Sequence, residues 1–312
     1  MSHRDRDGGS PGESPLRAPS RVHIVTNSQS EQARSLEARA RQGLESQGIA
    51  VSIEPTDSEV GPVGLDVHRD AGLSARDLIL VLGGDGTMLR AAEVSRASGA
   101  AILGVNLGHV GFLAEAEHED INFVIESIVQ GNWVVEERTA LDVSVMGNAN
   151  SGSAPIIAST WALNEISVEK QAREKMISVL VDVDHRPLSR WGCDGVICAT
   201  PTGSTAYAFS AGGPVIWPEV RALLLVPISA HALFARPSVI APTSVIGLDL
   251  AHDSPAVLWA DGRRMLNLEG GCRIEVKAHA SPVRFARLIT APFTDRLVAK
   301  FELPIDGWRG KK

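Results

Sequence analysis

From Arg21 onward, short apolar runs alternate with stretches of helical period. The runs Val22–Thr26 and Ile49–Ile53 flank an amphipathic stretch, Glu31–Gln47, that Gly48 ends. This is the pattern of strand, helix, strand. It continues through the fully apolar run Leu78–Leu82, a helix from about Met88 to Ala97, the run Ala101–Val105, and a helix near Asn122–Gln130 capped by Gly131. Strands apolar at every position need cover on both faces, which predicts a parallel sheet between helical layers. After about Arg138 the period drops to two. Leu141, Val143 and Val145 alternate with Asp142 and Ser144, and Ile177, Val179, Val181 and Val183 follow the same rule. That alternation marks half-buried antiparallel strands. Further strands are expected at 161–169, 195–200, 222–228, 245–250, 256–260, 273–278 and 283–289, so the second unit is mostly β. Thr294–Phe301 regains a helical pattern and is expected to pack back on the first unit.

Composition narrows the functions without choosing one. The 312 residues are 44% hydrophobic and 21% charged, enough apolar material for roughly two domains. A net charge of -7 and the lack of a basic stripe with interleaved aromatics argue against nucleic acid as partner. A phosphate-bearing ligand stays open, because Gly-rich loops and helix N-termini bind anions locally. Cys193, Cys198 and Cys272 form no CxxC pair and stand at no metal-ligand spacing, so they read as reduced core residues. No window has the apolar length of a membrane span and the polar N-terminus has no signal-peptide character, which makes the cytoplasm the expected location. Residues 1–20, rich in Gly, Pro and Ser, bury too little to offset their ordering entropy and are expected to be a disordered tail.

Two segments carry candidate chemistry. Gly83-Gly84-Asp85-Gly86-Thr87 follows a buried strand and opens a helix, the edge of a parallel sheet where ligands bind. Its glycines let bare backbone approach phosphates. A carboxylate there makes sense if Asp85 takes a proton from an attacking hydroxyl or organises a cation; the alternative is a tight turn with Asp85 as N-cap. The second segment is Asp194-Gly195, a strand, and then Thr200-Pro201-Thr202-Gly203-Ser204-Thr205-Ala206-Tyr207. Its four hydroxyls form a shelf suited to a ribose or a base edge, unless the cluster is an ordinary turn. Tyr207, the only tyrosine, can stack on a ligand. Asn164-Glu165 is a polar pair on a strand.

Together these segments resemble the NAD kinase family, which the chain matches over roughly residues 21–309. The match rests on Gly83–Thr87, Asn106-Leu107-Gly108 with Gly111-Phe112-Leu113, Asn164-Glu165, Asp194 through Tyr207, Pro227–Pro237 around His231 and Arg236, and Asp261-Gly262. The Gly-Gly-Asp-Gly-Thr turn is shared with diacylglycerol, sphingosine and phosphofructo-kinases. The Asn-Glu pair followed by the Asp-Gly and Pro-Thr-Gly-Ser-Thr-Ala-Tyr run is far more specific. The resemblance implies an α/β plus all-β protein with an N-terminal Rossmann-like parallel-sheet domain over 21–137, a C-terminal β-sandwich NAD-binding domain over 138–290, and a segment 291–312 returning to the first domain. It implies assembly as a homodimer or homotetramer.

By the same resemblance, Asp85 acts as base on the reacting ribose, with Gly83, Gly84, Gly86 and Thr87 near phosphates and Gly86 also near NAD. Asn164, Thr202 and Thr205 contact the adenine and Glu165 its ribose. Asp194, Ala206 and Ser210 hold the nicotinamide end, Tyr207 packs on the dinucleotide, and Asp261 has a smaller polar role. His109 stands where many relatives have Arg, and His231 is expected to pack or hydrogen-bond. The expected reaction is phosphorylation of the adenosine-ribose 2′-hydroxyl of NAD by ATP or polyphosphate, giving NADP. Mg²⁺ is expected to arrive with the donor, as the sequence offers no dedicated metal cage. Two alternatives are a diacylglycerol-kinase-like lipid kinase and an inactive dinucleotide-binding sensor.

Overall fold

The computed structural model describes residues 18–26, 30–54, 65, 71–107, 111–114, 116–117, 120–148, 155–288 and 292–304. Most of the tail expected at 1–20, together with Gly108, His109 and residues 305–312, lies outside them. The first unit contains β1 (Arg21–Thr26), α1 (Glu31–Ser46), β2 (Ala50–Ile53), β3 (Leu78–Leu82), α2 (Asp85–Ser98), β4 (Ala101–Asn106), β5 (Ala116–Glu117), α3 (Ile121–Gln130) and β6 (Val134–Arg138). Every residue of β3 and β4 is buried, as the unbroken apolar runs require. One face of their sheet is covered by Leu36, Ala40 and Leu44 of α1 with Val124 and Ile128 of α3. The other is covered by Met88, Ala91 and Ala92 of α2.

The second unit begins with β7 (Leu141–Met146), β8 (Ile156–Ala162), β9 (Glu165–Lys170), β10 (Ile177–Val183), β11 (Arg186–Cys193) and β12 (Gly195–Ala199). After a 3-10 turn (Thr202–Thr205) and the short α4 (Tyr207–Ser210) come β13 (Leu223–Ile228), β14 (Ser238–Ile240), β15 (Ile246–Leu250), β16 (Ala256–Ala260), β17 (Arg264–Leu268) and β18 (Arg273–Ala278). They form two antiparallel sheets, ordered β11-β10-β15-β18-β7-β8 and β14-β13-β12-β9-β16-β17. Leu141, Val143, Val179 and Ile274 of one sheet share a core with Ile166, Val168, Val196 and Leu258 of the other. That packing is a β-sandwich.

The remaining strand corrects the sequence reading. The run 283–289 was expected with the β-rich unit, but β19 (Val283–Arg287) lies in the first sheet, whose order is β2-β1-β3-β4-β19-β6. It runs parallel to β4 and antiparallel to β6. Buried Phe285 and Ala286 fill the two cores on opposite faces of that sheet. Period-two alternation specifies a strand and a covered face, but not which sheet receives it. The chain ends its described part in α5 (Phe293–Phe301), close to the expected helix.

Candidate active site

The first half of the site is the β3–α2 turn. Gly84, in an extended conformation, is the N-cap and Asp85 the first helical residue, so Asp85 is not the cap. Its carboxylate turns toward the 111–113 loop and accepts a hydrogen bond from the Leu113 N–H at 3.4 Å. A Cβ at Gly111 would lie 2.6 Å from Asp85 Oδ1, so only glycine lets the loop pass this close. Arg287 Nη1 donates to Leu113 O at 3.3 Å and Arg296 Nη1 to Phe112 O at 3.4 Å, which pins the loop from behind. Gly84 and Gly86 are exposed and Asp85 half-buried. The N–H groups of Asp85 and Gly86, in the first helical turn, have no intrahelical acceptor. The result is an anion-binding helix mouth with one oriented carboxylate at its rim.

The second half is the turn between β8 and β9. The run 161–169, expected as one strand, breaks at Leu163-Asn164 and joins two sheets. Asp261 causes the break: its carboxylate accepts the Leu163 N–H at 3.0 Å and the Asn164 N–H at 2.7 Å. Asp261 (φ 53°) and Gly262 (φ 61°) are the two left-handed residues of the β16–β17 hairpin turn, the geometry that Asp-Gly favours. Arg264 Nη2 donates to Asp261 Oδ2 at 2.8 Å, and the Arg264 guanidinium lies 4.6 Å from the Trp161 ring centre. Glu93 of α2 faces Arg264 and Arg263. The carboxylate of Asp261 is thus buried and engaged inward; it shapes the Asn164 turn. Burial pushes its acidity down, against the pull of Arg264 and of the Leu163, Asn164 and Glu165 N–H groups.

Glu165 opens β9 and is 7% exposed, and its Oε2 has no hydrogen-bond partner. Burial, and then the nearby Asp261 charge, push its pKa up to about 8. Along β9, Ile166 and Val168 enter the sandwich core. Glu165, Ser167 and Glu169 point the other way into a cleft of about 470 Å³ completed by Tyr207, Trp259 and Gly262. Ser167, Glu169 and Trp259 were not singled out from the sequence. Their signal was period two along β9, extended from Glu165.

The Thr200–Tyr207 segment wraps the Asn164 turn. Thr200 Oγ1 donates to Leu163 O at 2.6 Å and the Thr200 N–H to Asn164 O at 2.8 Å. A Cβ at Gly203 would fall 2.0 Å from Asn164 O, so the two segments touch backbone to backbone. Ser204 is spent on Pro201 and Ile216, so its hydroxyl supports the turn. Thr205 donates to Thr202 O at 3.2 Å, and Thr202 Oγ1 receives Arg138 Nη1 at 3.5 Å. Ala206 closes the 3-10 turn, and Tyr207 and Ser210 are exposed. Asp194, at the far end of β12, is paired with Lys170 at 2.5 Å. His231 bridges to Gly192 through its backbone N–H. The three cysteines are buried free thiols, and burial pushes Cys193 and Cys198 up to about 12, which leaves them unreactive.

No helix among the described residues is long and apolar enough to cross a membrane. Family models describing an ATP-NAD kinase N-terminal domain and an ATP-NAD kinase C-terminal domain match residues 25–133 and 163–288. An NAD kinase of Thermobifida fusca is 52% identical over 279 residues, covering 88% of this chain and 85% of that one. Among solved structures, a yeast NADH kinase complexed with NADH superposes with a TM-score of 0.74 at 25% identity, over 93% of this chain and 88% of the other. An NAD kinase from Archaeoglobus fulgidus in complex with ATP gives 0.65 at 27% identity, over 90% and 98%.

Proposed function

Because this chain belongs to the NAD kinase family and phosphorylates NAD, we propose that Asp85 is the base that activates the adenosine-ribose 2′-hydroxyl. A ribose hydroxyl holds its proton at neutral pH, and attack on a phosphoryl group is helped by a base within hydrogen-bond reach. The observation that carries this role is the Asp85 carboxylate at the mouth of α2, aimed by the Leu113 N–H beside exposed Gly84 and Gly86. The hydroxyl gives its proton to Asp85 as the ribose oxygen bonds to the terminal phosphorus and the shortened donor leaves. The N–H groups of Asp85 and Gly86 bind the phosphate oxygens, while those of Gly83 and Thr87, expected near phosphate as well, are spent on Val105 O and Gly84 O and shape the turn.

NAD lies against the Asn164 turn and the Thr202–Ser210 shelf, with the adenine near Asn164, Thr202 and Thr205, its ribose near Glu165, and Tyr207 against the dinucleotide. The nicotinamide end reaches toward Asp194, Ala206 and Ser210. Asp261 acts one step back, by holding the Asn164 backbone. ATP is the donor, with polyphosphate as the alternative, and it brings Mg²⁺, which offsets phosphate charge. Among the described residues no group of three His, Cys, Asp or Glu side chains gathers to hold a metal ion. The enzyme works in the cytoplasm as a homodimer or homotetramer, a reading supported by its buried free thiols and its family.

The test is Asp85→Asn, which keeps size and loses the base. NADP formation is expected to fall about a hundredfold or more while calorimetric NAD binding persists. Near-normal turnover with intact binding removes Asp85 from the role of base.

A further inference from the structure

Besides Glu165, the cleft beside Tyr207 holds a second carboxylate, on Glu169, that the reaction does not use. Ser167, 3% exposed, donates its hydroxyl to Glu169 Oε1 at 2.6 Å, which fixes that side chain along β9. The stem of Glu169 crosses Gly195, where a Cβ would meet its Cγ at 3.1 Å. Tyr207 lines the same cleft as Glu169 and Glu165, and its phenol is pushed up by partial burial and then by those two side chains. Trp259 pairs with Ser167 across the sheet and closes the other wall. None of the side chains lining this cleft is a cation. Of the carboxylates beside it, Asp194 is paired with Lys170 and Asp261 with Arg264.

The Glu169 carboxylate between the Tyr207 and Trp259 side chains makes a cation-recognition site, while Glu165, which burial keeps protonated at neutral pH, adds no charge there. The same wall repels phosphate, so the diphosphate of a bound dinucleotide has to lie outside it, toward the Gly-rich turn. The one cationic group that NAD carries is its oxidised nicotinamide ring, and reduction removes that charge. We propose that Glu169 is a specificity-determining residue that favours the oxidised, cationic dinucleotide over the reduced, neutral one. The inference rests on the placement of NAD given above, with the nicotinamide end running along β9 toward Asp194. Ser167 sets the reach of Glu169, and Tyr207 and Trp259 supply the faces between which the ring inserts.

The experiment measures kcat/KM for NAD and for NADH, with ATP and Mg²⁺ saturating, in the unaltered enzyme and in Glu169→Gln and Glu169→Asp. The unaltered enzyme is expected to favour NAD. Glu169→Gln should lower kcat/KM for NAD about tenfold and leave NADH within about twofold, because it removes the charge that attracts the cationic ring and leaves the aromatic walls in place. Glu169→Asp keeps the charge and should restore part of the preference. General damage to the fold lowers both substrates together and leaves their ratio in place. An unchanged ratio in Glu169→Gln overturns the proposal while NADP formation leaves the kinase reading standing. Absence of NADP formation by the unaltered enzyme overturns both.

Discussion

Glu165 is buried without a partner for one of its oxygens, and that predicament can be measured. Its folded pKa of about 8 lies above the ordinary carboxylate value of 4.5, so the native state holds a proton that the unfolded chain gives up. Below about pH 4.5 both states are protonated and there is no penalty. Stability is then lost as pH rises through the window between the two values, and the loss is complete above about pH 8, on the order of a few kcal/mol. Glu165→Gln removes the titration, so its melting temperature should exceed that of the parent at about pH 8, with the gap closing toward about pH 5. Differential scanning calorimetry across that range checks this, and a gap constant with pH would show that the carboxyl is not the cause. The glutamine variant should also bind NAD more weakly. Asp261 teaches the complementary lesson at this scale. Its Asp-Gly sequence marked it as notable, but only the structure shows its oxygens turned inward onto the backbone of Leu163 and Asn164.

The elements that carry the site differ in how far the sequence announced them. β3 and α2 were legible because an all-apolar run followed by glycines is determined locally. The break within 161–169 was not, because the acceptor that bends the chain there is Asp261, 97 residues beyond Asn164. β11, exposed over much of Arg186–Arg190, gave too weak an alternation to be seen. The helix α5 was expected, but not its reach. None of its residues is buried, yet Phe301 stacks 5.8 Å from Phe112 and 4.8 Å from Phe209. Phe112 belongs to the loop against Asp85, and Phe209 follows two residues after Tyr207. Phe301→Ala should therefore cost about 1–3 kcal/mol of stability, less than a fully buried phenylalanine. It should also lower turnover several-fold at 25 °C, where the protein is still folded. Thermal melts beside NADP assays test the two effects. Normal turnover would mean that α5 stabilises the fold without aligning the two half-sites.

For the whole molecule, β19 means that the first sheet is assembled from both ends of the chain. Without it, the Arg138 end of the sheet loses its link, because β6 pairs with β19 and not with β4. A fragment ending at Gly147 is therefore expected to show no cooperative thermal unfolding by circular dichroism, and adding the second unit without residues 281–312 should not rescue it. Sharp melting of the short fragment would show that β1–β4 with their helices suffice. Integration also runs through charge, since Glu93 of α2 meets Arg264, and Arg264 meets the Asp261 that shapes the Asn164 turn.

This closure by a late strand has a consequence during synthesis. A nascent chain emerges from the ribosome with its amino-terminal end first, and domains ordinarily fold in that order. Here the segment that completes the first domain is translated after the whole β-sandwich. The catalytic turn at Asp85 thus leaves the exit tunnel early and waits, in an incomplete sheet, until Val283–Arg287 follows. A stalled or prematurely terminated translation product is expected to yield no half-working enzyme, since β4 keeps only its short pairing with β5 on that side until β19 is made.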